Sequence, residues 1–267
     1  MPRPFEIMGV VNVTPDSFSD GGDFLDAPRA VAHALRLAEE GAGLLDVGGE
    51  STRPGSAGVG AEEEMARVLP VIEGIVAAAP SAGVSVDTSK AAVAARALDA
   101  GASYVNDVTA LRGDPDLAGL VAERGAGCCL MHMLGTPRTM QDDPRYGDVV
   151  DDVRAFLSDR VEAALAAGIA AERIHVDPGI GFGKTVAHNL ALLRRLDEIV
   201  ALGFPVVVGT SRKSFLGTLA GGAGPGDRLP GTIATNVIAL ERGAAIFRVH
   251  DVAPVAAALA VAAATVG

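Results

Sequence analysis

The sequence predicts an α/β protein that folds as a single-domain (β/α)₈ TIM barrel over residues 1–267. Eight times, a short apolar run ends in a polar residue, which a loop and an amphipathic stretch follow. Parallel strands covered by helices on both faces are continuous apolar runs of this kind. In such barrels the active site lies at the carboxyl ends of the strands. The polar residues at these ends are Asn12, Asp46, Asp87, Asn106 with Asp107, His132, Asp177, Ser211 to Lys213, and Arg248 to His250.

The strands are predicted from apolar runs, several of which follow a glycine. Glycine is favoured where a helix ends and the chain turns into the next strand, as at Gly83, Gly203 and Gly243. The predicted strands are Glu6–Val13, Gly43–Val47, Val84–Val86, Tyr104–Asn106, Gly127–Met131, Ile174–Val176, Pro205–Val208 and Ala245–Phe247.

The helices are predicted from apolar residues at helical spacing, for example Leu190, Leu193, Leu196 and Val200. An open doubly wound sheet is the alternative architecture. That fold has fewer strands and a glycine-rich first turn, which fits this chain less well. The predicted helices are Ala27–Glu40, Ala61–Ala78, Lys90–Ala100, Pro115–Glu123, Val149–Ala167, Ala187–Ala201, Leu229–Arg242 and Val252–Ala264.

Composition excludes several classes of protein. A net charge of −11 argues against a nucleic-acid surface, although a local site for a small anion is compatible with it. The amino-terminal stretch lacks the features of a signal peptide, and the apolar tail from Ala253 to Val266 is too short to span a membrane. The adjacent Cys128 and Cys129 point to opposite faces of a strand, so we expect two buried thiols in a reducing cytoplasm.

Five segments after predicted strands are too polar or too rich in glycine to be plain connectors. The lysines support this, because the chain has nineteen arginines but only three lysines, and Lys90, Lys184 and Lys213 all lie in these segments. A compact ammonium serves different chemistry from a guanidinium. The five segments are Asn12–Gly22, Asp46–Ser56, Asp87–Lys90, Asp177–Lys184 and Gly209–Gly217.

The motifs in these segments resemble the signature motifs of the dihydropteroate synthase family, and they occur in that family's order. NVTPDSFSDGG and GGESTRPG are the most specific of them. SVDTSK, VNDV, MHMLGTPRTMQ, DPGIGFGKT, GTSRKSFLG and RVHDV complete the set from end to end of the chain. The resemblance implies an enzyme that joins a dihydropterin methyl diphosphate to 4-aminobenzoate and releases pyrophosphate.

For the pterin, the resemblance implies recognition by polar side chains at strand ends. A carboxylate such as Asp177 can accept from a ring N–H and the neighbouring amine, and an amide both donates and accepts. Taken alone, Asp87 and Asp177 also fit helix N-caps. The implied pterin residues are Asp87, Asn106, Asp177, Lys213 and Arg248.

For the diphosphate, the resemblance implies Asn12, Arg248 and His250, with Asn12 contacting Mg²⁺. A single amide oxygen suits Mg²⁺ that binds mainly through substrate phosphates. Without the family, Asn12 reads as a turn residue, and His250 as a structural residue near a helix start. For 4-aminobenzoate, the implied residues are Thr52, Pro54, Phe182, Lys213, Ser214 and Phe18.

The mechanism expected from the family is an SN1-like substitution in which the diphosphate leaves early and no residue acts as a covalent nucleophile. We expect the loops Ser17–Gly22 and Ser51–Gly60 to order over bound ligand, with Asp16 and Arg53 as charged closing residues that take part in catalysis. The family is also expected to be homodimeric. Asp46 and His132 are interpreted as supports of the rim.

Three other functions remain open at this point. A related barrel that transfers a methyl group from a folate would share the pterin residues but would not need the STRPG and TSRKS segments. A non-catalytic pterin-binding paralogue would show damaged motifs. A sugar isomerase barrel would need a catalytic glutamate, for which Glu50 is the candidate at the rim.

Overall fold

A computed structural model of the chain describes residues 5–14, 27–53, 55–56, 58–79 and 81–266. These contain eight short strands: β1 Glu6–Asn12, β2 Leu44–Gly48, β3 Gly83–Asp87, β4 Tyr104–Asp107, β5 Gly127–Met131, β6 Ile174–Asp177, β7 Val207–Val208 and β8 Ile246–Val249.

The strands form one parallel sheet in the order β6-β5-β4-β3-β2-β1-β8-β7. The ring closes between β6 and β7 through a parallel bridge from Val176 to Val206. Helices follow the strands and cover the outside of the barrel, as the alternation in the sequence predicts. The open doubly wound sheet is therefore excluded, and the predicted barrel is confirmed.

The helices of the described residues carry the apolar faces that the sequence predicts. The start of α5 is fixed by an N-cap residue, Asp148, whose carboxylate accepts from two backbone N–H groups. The helices are α1 Ala27–Glu39, α2 Ala61–Ala78, α3 Ala91–Asp99, α4 Leu117–Arg124, α5 Val149–Ala166, α6 Val186–Arg194, α7 Leu196–Val200, α8 Ser214–Leu219, α9 Leu229–Glu241 and α10 Val252–Val266.

One helix that the sequence predicts as continuous is interrupted in the structure. The sequence predicts a single helix over Ala187–Ala201, but the structure divides it into α6 and α7 at Arg195, which has φ −112° and ψ 29°. The Arg195 side chain bonds to Asp148 at the start of α5 and to Glu198. Helical spacing continues across this break, so the apolar pattern does not reveal it.

The barrel interior is layered by polarity. Residues two apart on a strand face the same side. A strand residue two positions after a member of the lower layer therefore also points into the barrel, one layer higher. The lower layer is an apolar cluster of Met8, Leu44, Tyr104, Cys129, Val207 and Ile246. Two residues after Leu44, Tyr104 and Ile246, the inward-facing residues are Asp46, Asn106 and Arg248. Alternation therefore carries polar side chains into the upper end of the barrel.

The two cysteines face opposite sides, as predicted. Cys128 packs in the outer core between sheet and helices, whereas Cys129 belongs to the interior cluster. Both are free and buried, and burial raises the pKa of the Cys128 thiol to about 12.

No helix within the described ranges is both long and apolar enough to cross a lipid bilayer.

We predict that Gly127→Ala destabilises the barrel. A methyl group at this inward-facing position would lie 2.5 Å from Cδ2 of Tyr104, so it overpacks the lower layer. The expected loss is about 1–3 kcal/mol in the free energy of unfolding, measured by urea denaturation. The control is Gly119→Ala in α4, where a methyl meets nothing within 4 Å. That substitution should stabilise by about 0.5–1 kcal/mol, and equal losses in both variants would contradict the packing argument.

Candidate active site

The strand register aligns several polar residues at one end of the barrel. Asn12 pairs with Gly48, Gly48 with Asp87, and Asp87 with Asn106, so four neighbouring strands end at the same level. Gly48 has no side chain to obstruct this row. A methyl group there would lie 3.4 Å from the Cβ of Asp87. The missing side chain leaves the end of the barrel open between Asn12 and Asp87.

The carboxylate of Asp46 is the centre of a buried hydrogen-bond network beneath this row. It is fully buried and accepts from Oγ of Ser85 at 2.6 Å, from Nδ2 of Asn106 at 3.0 Å and from Nε of Arg248 at 2.6 Å. The network joins four strands, because these residues come from β2, β3, β4 and β8. Asp46 therefore supports the rim, in agreement with its predicted role.

Arg248 is held by a second carboxylate. Its Nη2 donates to Asp87 at 2.7 Å, so one guanidinium lies between the carboxylates of Asp46 and Asp87. Burial raises the pKa of Asp87 to about 7, opposed by Arg248 and reinforced by the charge of Asp46. The alternative that Asp87 caps a helix is wrong, since α3 begins at Ala91 and its first N–H bonds to Asp114.

Asp177 ends β6 with its carboxylate turned into a tight turn. Its Oδ1 accepts from the backbone N–H of Gly179 at 2.6 Å, and the side chain is 5% exposed. Burial raises the pKa of Asp177, opposed first by that hydrogen bond and then by Lys213. No helix starts here, because α6 begins at Val186. The helix-cap interpretation of Asp177 is therefore excluded.

Lys213 and Phe182 lie against one another. The Nζ of Lys213 is 3.9 Å from the centre of the Phe182 ring, which is a cation–π contact. Burial lowers the pKa of Lys213 to about 8, helped by Arg248 and opposed by Asp177 and Asp87. In the turn before it, Arg212 adopts a left-handed φ of 58° and pairs with Asp251.

These residues share one depression in the end of the barrel. All five residues that the resemblance assigns to the pterin line it, together with Phe182. Its apolar lining adds Val108, Met131 and Ile180, to which the sequence analysis assigned no role at the site. The lining residues are Asp87, Asn106, Val108, Met131, Asp177, Gly179, Ile180, Phe182, Gly209, Lys213 and Arg248.

His250 lies beside this depression rather than in its lining. Its backbone N–H donates to Oγ of Ser211, and its Nδ1 is 3.0 Å from the same oxygen. Burial lowers the pKa of His250 to about 3, reinforced by the charges of Arg248 and Arg212. The imidazole is therefore neutral at neutral pH.

Asn12 is the residue that the resemblance assigns to Mg²⁺. It ends β1 half-buried, and no group of three His, Cys, Asp or Glu side chains among the described residues could hold a metal ion. Its amide oxygen is a hard ligand of the kind Mg²⁺ prefers. This donor set does not fit a resident metal centre. It fits an Mg²⁺ ion that a phosphate substrate carries and that takes one ligand from the protein.

The remaining predicted residues lie at the edge of the site. Thr52 is half-buried and Arg53 is exposed in the loop after β2, and Ser214 is the exposed first residue of α8. Asp16, Phe18 and Pro54 lie outside the described residues, as does most of the loop after β1.

Two rim lysines have structural partners that the sequence does not specify. Lys90 pairs with Glu50 and Glu64, and Lys184 approaches His132 at 2.9 Å. Glu50 is thus engaged by an ammonium, so the rim candidate for an isomerase base is part of an ion pair. In the sequence, the position of both lysines in the polar segments after strands indicates that they lie at the rim, but it does not identify their partners.

Comparisons with known proteins agree with this site. The family model described as pterin binding enzyme matches residues 8–250. The chain is 47% identical to the dihydropteroate synthase of Escherichia coli K12 over 259 residues, covering 97% of this chain and 91% of the relative.

Solved structures extend the similarity to the fold. The chain is similar to Xanthomonas albilineans dihydropteroate synthase with 4-aminobenzoic acid, at 50% identity and a TM-score of 0.92, covering 98% and 93% of the two chains. It is also similar to that organism's enzyme in complex with 7,8-dihydropteroate, at 47% identity and a TM-score of 0.89, with the same coverage.

We predict that Asp46→Asn destabilises the protein, because it leaves the buried guanidinium of Arg248 with Asp87 as its remaining carboxylate. Removing one partner of a buried ion pair typically costs about 3–5 kcal/mol, and we expect about 3 here because Asp87 still faces the cation. The measurement is the free energy of unfolding in urea.

The matched control is Asp143→Asn, whose pair with Arg145 is 64% and 84% exposed. A surface change of this kind should alter stability by less than about 0.5 kcal/mol. A loss at Asp46 as small as that at Asp143 would show that the network does not hold the barrel end together.

Proposed function

The chain belongs to the dihydropteroate synthase family of pterin-binding enzymes, and from this premise we propose how its barrel end carries out the family's reaction. The enzyme joins (7,8-dihydropterin-6-yl)methyl diphosphate to 4-aminobenzoate and forms 7,8-dihydropteroate and pyrophosphate. The observation that carries this proposal is the convergence of Asp87, Asn106, Asp177, Lys213 and Arg248 on one depression.

The pterin ring lies in that depression, with its polar edges on the strand ends. The carboxylate of Asp177 accepts from the ring N–H and the exocyclic amine, because its two oxygens have about four lone-pair sites and Gly179 occupies one of them. Asn106 serves a mixed donor and acceptor edge, and Lys213 donates to the carbonyl side. Arg248 lies against the ring face, where its planar guanidinium can stack.

The diphosphate extends from the ring toward Asn12, Arg248 and His250. Arg248 contributes positive charge, and the neutral imidazole of His250 contributes a hydrogen bond. Asn12 would hold Mg²⁺ that the diphosphate carries. When bound, that ion supplies positive charge that favours departure of pyrophosphate.

4-Aminobenzoate binds beside the pterin methylene carbon. Phe182 provides an apolar wall for the benzene ring, and the ammonium of Lys213, 3.9 Å from that wall, attracts the carboxylate. Thr52 and Ser214 border the site from the loop after β2 and the start of α8. Pro54 and Phe18, which lie outside the described residues, complete the aromatic pocket in this proposal.

The reaction is a substitution at the methylene carbon with early cleavage of the C–O bond. The electron pair of that bond leaves with pyrophosphate, and the electron-rich dihydropterin stabilises the positive charge left on carbon. The arylamine lone pair then forms the C–N bond, and the amine loses a proton to the departing pyrophosphate. The protein contributes placement and charge stabilisation, and Asp16 and Arg53 close the loops over the cation to exclude water.

Three further statements about the chain follow from the family premise as proposals. Residues 1–267 form a single functional domain, and the protein acts as a homodimer. Its location is the cytoplasm, which suits two buried free thiols at Cys128 and Cys129.

We predict that Asp177→Asn and Lys213→Ala each lower kcat/KM about 100-fold or more, because each removes a charge directed at the reacting substrates. Turnover is measured as dihydropteroate formed from the two substrates with Mg²⁺. Circular dichroism should show an intact fold, and Asp143→Asn applies the same amide substitution at an exposed aspartate. Values within about threefold of the wild type for either variant would defeat the assignment.

We predict an alkaline loss of activity caused by Lys213. Its pKa is lowered to about 8, so the ammonium is present below that pH and is lost above it. 4-Aminobenzoate is a carboxylate with a neutral amine throughout this range, so kcat/KM for it should fall as the pH rises through about 8. Activity that stays constant up to about pH 9.5 would rule out a role for this charge.

We predict that chelation of Mg²⁺ stops turnover without unfolding the protein. Because the metal arrives with the diphosphate and no structural metal cluster exists among the described residues, the apo protein should keep its Tm within about 2 °C. Adding back Mg²⁺ should restore the rate. A chelated protein that loses many degrees of Tm would instead indicate a structural metal.

A further inference from the structure

Lys184, like Lys90, is a rim lysine to which the proposed chemistry gives no role, although it is more deeply buried than Lys213. It is 3% exposed, and burial lowers its pKa to about 7. A buried ammonium is costly unless its donors are satisfied. The Nζ of Lys184 has contacts with His132 and with Phe182, and Phe182 lines the depression.

The Nζ of Lys184 joins two loops. It donates to the carbonyl oxygen of Phe182 at 3.0 Å in the loop after β6, and it lies 2.9 Å from Nδ1 of His132 after β5. Burial lowers the pKa of His132 to about 3, so the imidazole is neutral and Nδ1 can accept. The His132 ring is itself fixed by edge-on packing against Phe156, with ring centres 4.8 Å apart.

The loop that Lys184 holds has a conformation that leaves little room for adjustment. Gly179, Gly181 and Gly183 all have positive φ. A methyl group at Gly179 would lie 1.8 Å from the carbonyl oxygen of His132, so the two loops are already in close contact there. Glycine permits this turn but does not enforce it. Side chains restrain it: Gln141 donates to the carbonyl of Gly181, Asn189 accepts from the Gly181 N–H, and Lys184 donates to the carbonyl of Phe182.

The residue at the crest of this loop is Phe182, the proposed wall of the aminobenzoate pocket. It packs in a cluster with Met131, Met133 and Met140, and its ring faces the ammonium of Lys213. Methionine side chains are flexible and do not fix a ring by themselves. The side-chain hydrogen bond to the Phe182 backbone itself comes from Lys184, and the Phe182 ring lies against the ammonium of Lys213.

We propose that Lys184 is a positioning residue for the aminobenzoate site, where its Nζ ties the Phe182 loop to His132 and so fixes the Phe182 ring opposite Lys213. This inference rests on the proposed function. It assigns to Lys184 no contact with either substrate.

The test is Lys184→Met, which keeps a long unbranched side chain and removes the donors. The KM for 4-aminobenzoate should rise about tenfold, as expected for loss of a buried hydrogen bond that orders the wall. The KM for the pterin diphosphate should change by less than about threefold, because Asp177 and Asn106 keep their strand-end positions. Equal rises in both values would overturn the proposal.

A double-mutant cycle separates positioning from general loosening. If Lys184 acts through the Phe182 ring, adding Lys184→Met to Phe182→Leu should change kcat/KM for 4-aminobenzoate by less than about threefold. Two independent contributions would instead multiply. Should Lys184→Met fail to fold by circular dichroism, His132→Phe removes the acceptor, keeps a ring and completes the same cycle.

The matched control is Tyr146→Phe, because the Tyr146 hydroxyl donates to the carbonyl of Gly183 in the same loop at 2.7 Å. It should leave the KM for 4-aminobenzoate within about threefold of the wild type. A rise in this KM as large as that caused by Lys184→Met would show that loss of any hydrogen bond to the loop has the same effect. That result would overturn the positioning role proposed for Lys184. A wild-type chain without turnover would overturn the proposed function itself, and this inference with it.

Discussion

One guanidinium shared by two carboxylates organises the upper end of this barrel. Arg248 donates to Asp46 at 2.6 Å and to Asp87 at 2.7 Å, and Asp46 also accepts from Ser85 and Asn106. Because these side chains come from four different strands, their bonds fix the strand ends relative to one another. The substrate contacts proposed for Asp87, Asn106 and Arg248 all depend on this arrangement.

The same arrangement has a cost in stability. Charges removed from water are retained only when their partners are well placed, and a well-packed apolar core is often at least as stable. Here the carboxylates of Asp46, Asp87 and Asp177 share the region with Arg248 and Lys213. Burial raises the pKa of Asp87 and lowers that of Lys213, and perturbed pKa values of this kind cluster at functional sites.

The barrel could be predicted from the sequence because parallel strands and amphipathic helices leave separate periodicities. The convergence of Asp87, Asn106 and Asp177 followed, since strand ends of a parallel barrel meet at one rim. The partners of Asp46 and Lys184 could not be predicted, because they join residues far apart in the chain through side-chain geometry. Neither could the break at Arg195, which depends on its contact with Asp148.

The most direct measurement is a rapid-quench reaction of the wild-type chain with (7,8-dihydropterin-6-yl)methyl diphosphate, saturating 4-aminobenzoate and Mg²⁺, with both products quantified by chromatography. The proposed arrangement places the pterin methylene carbon, the leaving diphosphate and the arylamine in one site. It predicts that dihydropteroate and pyrophosphate appear together in equal amounts. Pyrophosphate without dihydropteroate, or neither product, would contradict it.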